Sequence, residues 1–161
     1  MLFRSFSTRI RDTRKTTAGF RKLEKYAVRV GGGINHRMSL RESALIKDNH
    51  VAAAGGVSEA FAKVRSAFPD IEIEVEVDTL AQLKEIAPFK PDLVLLDNMS
   101  VADCAQAVDI VGGRFPLEAS GGITINTARA YAETGVNYLA VGALTHSAKI
   151  LDIGLDLKAE I

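Results

Sequence analysis

The chain of 161 residues has no tryptophan, a single cysteine and four prolines, and only 6% of its residues are aromatic. With Cys104 alone, no intrachain disulfide can form, so a reducing, cytoplasmic location is expected. The thiol itself reads as a small buried apolar side chain, because no His or Arg motif adjoins it. No apolar run approaches the ~20 residues that cross a bilayer, and no membrane partner is expected. Aromatic residues do not interleave the basic ones in any nucleic-acid recognition pattern, so nucleic acid is not an expected partner either. The three histidines lack the paired spacing of a zinc site.

The charge that is present is unevenly placed. Net charge is zero, with 20 Lys/Arg and 20 Asp/Glu, yet residues 1–50 carry 12 − 4 = +8 and the remainder 8 − 16 = −8. A basic half points to an anionic ligand. The length suits one domain with a sizeable core. Met1–Arg11 contains Arg and Ser but no acid, and reads as the lead-in to a first strand, with an organellar presequence as the alternative.

Apolar β-rich runs alternate with helical patterns. Strands are predicted at Thr8–Asp12, Ala44–Lys47, Ile71–Val77, Leu93–Asp97, Leu117–Ser120 and Tyr138–Gly142, with a seventh at Ile153–Leu157. Helices are predicted at Phe20–Val30, Ser58–Phe68, Leu80–Ala87, Val101–Val111 and Thr127–Thr134. This alternation predicts an α/β fold with a parallel sheet. At ~24 residues per βα unit, the chain holds about six or seven units, short of the ~250 residues of a full eightfold barrel. A small or incomplete TIM-like βα barrel is therefore expected. A doubly wound open sheet is the alternative, but no Gly-x-Gly-x-x-Gly opens a first helix.

Strand parity favours the barrel. In Ile71–Val77 the acids Glu72, Glu74 and Glu76 share one face, opposite the apolar residues that must meet the helices. Lys47 shares a face with Leu45, Asp97 with Leu95, and Ser120 with Glu118. A polar interior at strand C-termini is where a barrel keeps its active site, and acids there need cations beside them.

Several clusters look suited to anions. Arg14 and Lys15 follow the first strand, where a guanidinium takes a carboxylate bidentately and an ammonium acts as a point charge; a solvated basic turn is the alternative. Gly31–Gly33 either lets backbone N–H groups approach a ligand or is simply a loop, and it precedes His36 and Arg37. His50 is the weakest histidine and fits a helix cap. Glu76 and Asp97 have the chemistry to hold Mg²⁺ together with substrate phosphates. Ser120-Gly121-Gly122 and Gly142, closing two late strands, fit a phosphate pocket, with His146 as a donor to it or a surface residue.

With these pieces placed, the chain resembles the quinolinate phosphoribosyltransferase family. The resemblance runs in order from Ile10 to Leu157, through Asp-Thr-Arg-Lys-Thr-Thr at 12–17, Leu-Glu-Lys-Tyr-Ala-Val at 23–28, Gly-Gly-Gly-Ile-Asn-His-Arg at 31–37 and Leu-Ile-Lys-Asp-Asn-His at 45–50. It continues through Val-Glu-Val-Asp at 75–78, Leu-Leu-Asp-Asn-Met at 95–99, Glu-Ala-Ser-Gly-Gly-Ile at 118–123 and Val-Gly-Ala-Leu-Thr-His-Ser at 141–147.

The resemblance implies that quinolinate and phosphoribosyl pyrophosphate react with Mg²⁺ to give nicotinate mononucleotide, pyrophosphate and CO₂. It implies that Thr13, Arg14, His36, Arg37 and Lys47 bind substrate, the last four on the quinolinate carboxylates. Lys15 and Lys47 would sit near the pyrophosphate, and Glu76 and Asp97 near the ribose and Mg²⁺, making these four the catalytic set. Ser120, Gly121, Gly122, Gly142 and His146 would hold the 5′-phosphate.

Two departures stand out. Ala18 replaces the proline usual before the glycine that opens the first helix. The family's N-terminal α/β domain, which in its homodimers lends an arginine to the neighbouring site, has no counterpart in Met1–Arg11, so the expectation is the catalytic barrel alone. A related barrel from a molybdenum locus, and an inactive phosphate-binding barrel, are the other readings.

Overall fold

The alternation of apolar and polar residues along each strand sorts the sheet into two faces. In the computed structural model, which describes residues 7–157, Ile73, Val75 and Val77 of one strand are fully buried under helices, while Glu74 and Glu76 face the other way. Part of the lead-in read at Met1–Arg11, namely Met1–Phe6, lies outside the described residues.

Six strands are described: β1 (Arg9–Arg11), β2 (Ala44–Ile46), β3 (Ile73–Val77), β4 (Leu93–Asp97), β5 (Leu117–Ser120) and β6 (Tyr138–Ala140). All the pairs are parallel, in the order β1-β6-β5-β4-β3-β2. The helices are α1 (Arg21–Val30), α2 (Asp48–Ala54), α3 (Val57–Ala67), α4 (Leu80–Ile86), α5 (Val101–Val111), α6 (Ala128–Glu133) and α7 (Ala143–His146). The α/β barrel expectation holds, with each strand 3–5 residues long.

The first and last strands of the chain lie side by side, which a barrel requires. On its other side β1 makes a single parallel bridge from Arg11 to Ile34. Among the described residues no strand pair joins Ile34 to β2, so the ring stays open there. Arg37 staples the gap, its Nη1 donating to Ser43 O at 2.5 Å.

Local signals account for several helix ends. Thr79 Oγ1 accepts from Gln82 N and Gln82 Oε1 accepts from Thr79 N, a reciprocal cap at the start of α4. Ser100 Oγ accepts from Asp103 N to open α5, and Gly112 closes it in the left-handed region at φ 57°.

Two expectations need correction. Ile153–Leu157 forms no strand; it is irregular and highly exposed, with no neighbour among the described residues on which to bury its apolar residues. A short helix, α2, occupies Asp48–Ala54, where no helix was expected, and His50 caps it by accepting from Lys47 N, in line with the reading of His50 as a cap. The N–H groups of Gly31, Gly32 and Gly33 all donate to carbonyls of α1, so of the two readings of the triplet the loop holds, as the end of a helix. At Gly33 a Cβ would lie 2.8 Å from Val28 Cγ1, so the close approach of the chain to α1 requires glycine.

The inner face of α1 is not its most apolar one. Its buried residues are Lys25 and Val28, whereas Phe20, Leu23, Tyr26 and Val30 along the stripe on the other side are exposed.

Candidate active site

The C-terminal ends of the strands surround an open cavity of about 460 Å³. It is lined by Thr13, Arg14 and Lys15 after β1, by His36 and Arg37 beside the open seam, and by Leu45, Lys47 and Asp48 around the end of β2. Glu76 (β3), Leu95 and Asp97 (β4), Glu118 and Ser120 (β5) and Ala140 (β6) complete the wall. Nine of the expected site residues therefore meet in one place, although they come from positions 13 to 120.

Four of the expected residues are not in this wall. Gly142 and His146 adjoin Thr13 at the rim: a Cβ on Gly142 would lie 2.8 Å from His146 Nε2 and 3.7 Å from Thr13 Oγ1. Gly121 and Gly122 turn the chain after Ser120 at φ 101° and 57°, and α6 starts only at Ala128, so no helix N-terminus directly follows these glycines. Thr145 Oγ1 donates to Lys15 O at 2.6 Å and ties the loop after β1 to the loop after β6.

One wall is basic and has unmet hydrogen-bonding capacity. Arg14 Nε, His36 Nδ1 and Arg37 Nε are buried and have no partner among the described residues. Buried polar atoms are nearly always paired, so three orphans lining one cavity call for an acceptor from outside the chain. Burial, then the neighbouring Arg14, pushes the Arg37 guanidinium down from its ordinary value, and Glu74 opposes this. An anion placed there would relieve both effects.

The facing wall is acidic. Lys47 Nζ lies 3.7 Å from Glu76 Oε2. Burial pushes the Glu76 carboxyl up, Lys47 pulls it down, and Asp97 pushes it up again. Two carboxylates facing one cavity, one of them raised in part by the other, fit a shared cation or a group that develops positive charge. Asn98 Nδ2 donates to Asp97 Oδ2 at 2.7 Å and fixes one of its oxygens.

Beneath the cavity lies a layer that the site expectation underweighted. His36 Nε2 is 2.7 Å from Glu74 Oε2, and Arg11 Nη1 is 2.5 Å from Glu118 Oε2. Burial, then the facing Glu74 carboxylate, pushes the Glu118 carboxyl up to about 7, while Arg11 and His36 pull it down. Candidate ligand atoms of His36, Glu74 and Glu118 lie within 4.8 Å of one another. A dication there would add to the positive Arg11, so we read the cluster as mutually neutralising ion pairs. Strand parity had already put Glu74 and Glu118 on the inner face; the missing signal was Arg11, which looks like an ordinary strand-end charge. Glu72, on the same face, is exposed at the opposite rim with Arg11 and Asp92, away from the site.

Asp12 belongs to the scaffold and not to the anion site. Its Oδ1 accepts from Lys25 Nζ and from His36 N, and its Oδ2 accepts from Asn35 Nδ2. Cys104 is fully buried, and burial pushes its thiol up to about 11, as its bland reading required.

Comparison with known proteins places these features in context. Residues 2–156 match the family model described as quinolinate phosphoribosyl transferase, C-terminal domain. A carboxylating nicotinate-nucleotide pyrophosphorylase of Mycobacterium leprae is 57% identical over 157 residues, covering 96% of this chain and 55% of that protein. A probable enzyme of the same name from Bacillus subtilis is 47% identical over 150 residues, covering 92% of this chain and 52% of its own. The crystal structure of nicotinate-nucleotide pyrophosphorylase from Ehrlichia chaffeensis superposes with a TM-score of 0.94 at 41% identity, covering 98% of this chain and 57% of that one. The chain thus spans about half the length of the relatives it matches.

Proposed function

This chain belongs to the family of quinolinate phosphoribosyl transferase C-terminal domains, and we propose on that premise that it supplies the catalytic barrel for making nicotinate mononucleotide, pyrophosphate and CO₂ from quinolinate and phosphoribosyl pyrophosphate. The observation that carries the proposal is the cavity's polarity: three unpartnered cationic-wall nitrogens, of Arg14, His36 and Arg37, across from Glu76 and Asp97.

That polarity suits the reaction. Quinolinate is a dianion, and Arg14, His36, Arg37 and Lys47 offer donors for its two carboxylates. Lys15 and Lys47, both exposed at the mouth, are placed to meet the pyrophosphate as it leaves C1′ with the bonding electron pair. Positive charge that builds on the ribose ring is stabilised by Glu76 and Asp97, as at the oxocarbenium centre of glycoside hydrolysis. The quinolinate nitrogen forms the new bond to C1′. The ring then carries positive charge, which stabilises the electron pair left on the adjacent ring carbon as its carboxylate departs as CO₂, and that carbon takes up a proton from solvent.

Glu76 and Asp97 fit Mg²⁺, being two cavity-lining carboxylates that disfavour one another's charge. When bound with substrate oxygens, the ion would neutralise charge on the pyrophosphate. Thr13, Ser120, Gly121, Gly122, Gly142 and His146 form the proposed 5′-phosphate side, supported by the adjacency of Thr13, Gly142 and His146. A homodimer is part of the proposal, and the outward apolar face of α1 supports a protein contact. A cytoplasmic setting is supported by the free, buried Cys104.

Calorimetry with each substrate tests the reading. The chain by itself should bind phosphoribosyl pyrophosphate more readily than quinolinate, because the site stands open to water, which weakens charge interactions at the mouth. Binding of neither substrate would refute the proposal.

A further inference from the structure

His36 is held at three of its polar atoms by buried charged residues from three elements. Its backbone N–H donates to Asp12 Oδ1 at 2.8 Å, its carbonyl accepts from Lys25 Nζ of α1 at 2.8 Å, and its Nε2 lies 2.7 Å from Glu74 Oε2 of β3. His36, Asp12, Lys25 and Glu74 are all buried. No freedom is left for the ring to choose another partner.

The pairing dictates where the ring protons go. A carboxylate only accepts, so the Nε2 that faces it carries a proton. Nδ1 has no partner among the described residues, although the residue lines the cavity. A neutral ring protonated at Nε2 presents a lone pair at Nδ1, which repels an anionic oxygen. Only the imidazolium presents an N–H at both nitrogens.

We infer that Glu74 is a positioning residue which makes His36 meet the substrate through Nδ1, as an imidazolium, so that binding of an aromatic dicarboxylate is linked to one proton on this ring. The inference rests on the proposed function and adds the proton linkage to it. Glu74 from β3 is the carboxylate that meets the ring, while Glu118 from β5 lies beside Arg11 from β1, and burial with the facing Glu74 pushes its carboxyl up toward the neutral form. Asp12 and Lys25 neutralise one another at the backbone, and Arg14 and Arg37 on the cavity wall await the ligand. Without the charge of Glu74, the imidazolium would share its surroundings with Arg11, Arg14 and Arg37 and only Glu118 to offset them.

Long-range ¹H–¹⁵N correlation spectra of the full chain, with His36→Asn to assign the ring, read the tautomer directly. The expected neutral form has its proton on Nε2 and a bare Nδ1; a neutral ring with its single proton on Nδ1 overturns the inference. Calorimetry with pyridine-2,3-dicarboxylate then tests the linkage in wild type and Glu74→Gln. Wild-type affinity should fall about tenfold per pH unit once the free ring has lost its second proton. In Glu74→Gln this loss should begin at lower pH, so that the variant binds at least about tenfold more weakly than wild type where only the wild-type ring keeps its second proton, and the two bind alike where both rings keep it.

Affinity for phosphoribosyl pyrophosphate should agree within about twofold between the two proteins, which separates repositioning of His36 from damage to the barrel. Dicarboxylate binding with the same pH profile in both proteins overturns the inference. If wild type binds neither ligand, the proposed function fails; if it binds only phosphoribosyl pyrophosphate, the tautomer spectrum alone decides the role of Glu74.

Discussion

Lys25 Nζ and Asp12 Oδ1 lie 2.5 Å apart with both side chains shut off from solvent, in the layer between α1 and β1. The pair also holds both backbone groups of His36. Its partners explain why an amphipathic helix turns a lysine inward: the ammonium is fully employed by the carboxylate and the His36 carbonyl, and Asn35 takes the second oxygen of Asp12.

Lys25→Met is expected to destabilise the protein by about 3–5 kcal/mol, because it leaves the Asp12 carboxylate buried with its cation gone. Replacing both members with apolar residues should not fully restore stability, since the N–H of His36 and the amide of Asn35 would lose their acceptor. Urea unfolding midpoints of the single and double variants check this; a double variant as stable as wild type would contradict it.

Lys47→Ala should abolish measurable turnover in the full-length protein, with kcat reduced by at least about 10²–10³-fold, because the ammonium near Glu76 is the proposed counter-charge to both anionic substrates. Steady-state kinetics with the two substrates provides the measurement. Turnover preserved within a few-fold would remove Lys47 from the catalytic set.

Stability should depend on pH through Glu118. Its carboxyl is raised from an ordinary 4.5 to about 7 in the folded chain, so on raising the pH the unfolded chain releases this proton first. The native state holds the extra proton between those values, and stability therefore falls with rising pH across that window and then levels off. Glu76, also raised, acts in the same direction. Glu118→Gln removes the larger contribution, so its stability relative to wild type should improve as pH rises through the window. A difference that stays constant with pH counts against it.

Gly121→Ala should impair the phosphate side of the site. The backbone there has φ 101°, and an added Cβ would sit 2.9 Å from Asn98 Cα, with the Asn98 side chain closer still. The strain is of order 1–3 kcal/mol, and relief would move Asn98, the hydrogen-bond donor to Asp97. Calorimetry should show weaker phosphoribosyl pyrophosphate binding; unchanged affinity would separate the turn from the site.

Much of this was legible in advance, for a reason that lies in strand geometry. A period of two commits alternate residues to opposite faces, so Leu45 and Lys47, Leu95 and Asp97, and Glu118 and Ser120 were paired correctly before any coordinates. Short-range rules also held where they depend on a few adjacent residues, as at Ser100-to-Gly112. They failed at Ile153–Leu157, where strand-like composition found no pairing edge, and left two readings open at Gly31–Gly33, where the same N–H groups serve either a ligand or a helix end.

The sequence by itself determined the alternation of strands and helices, the inward and outward sides of each strand, and which ordered motifs tie the chain to its family, because these follow from residue order and local backbone geometry. Only the tertiary structure decided that Lys25 faces inward while Phe20, Leu23, Tyr26 and Val30 face out, that Asp12 is scaffold, and that Arg11, Glu118, Glu74 and His36 form one buried layer under the cavity. Each of these depends on partners far apart in sequence, Arg11 and Glu118 by 107 positions, and a charge is placed in the interior only by the partner that meets it there.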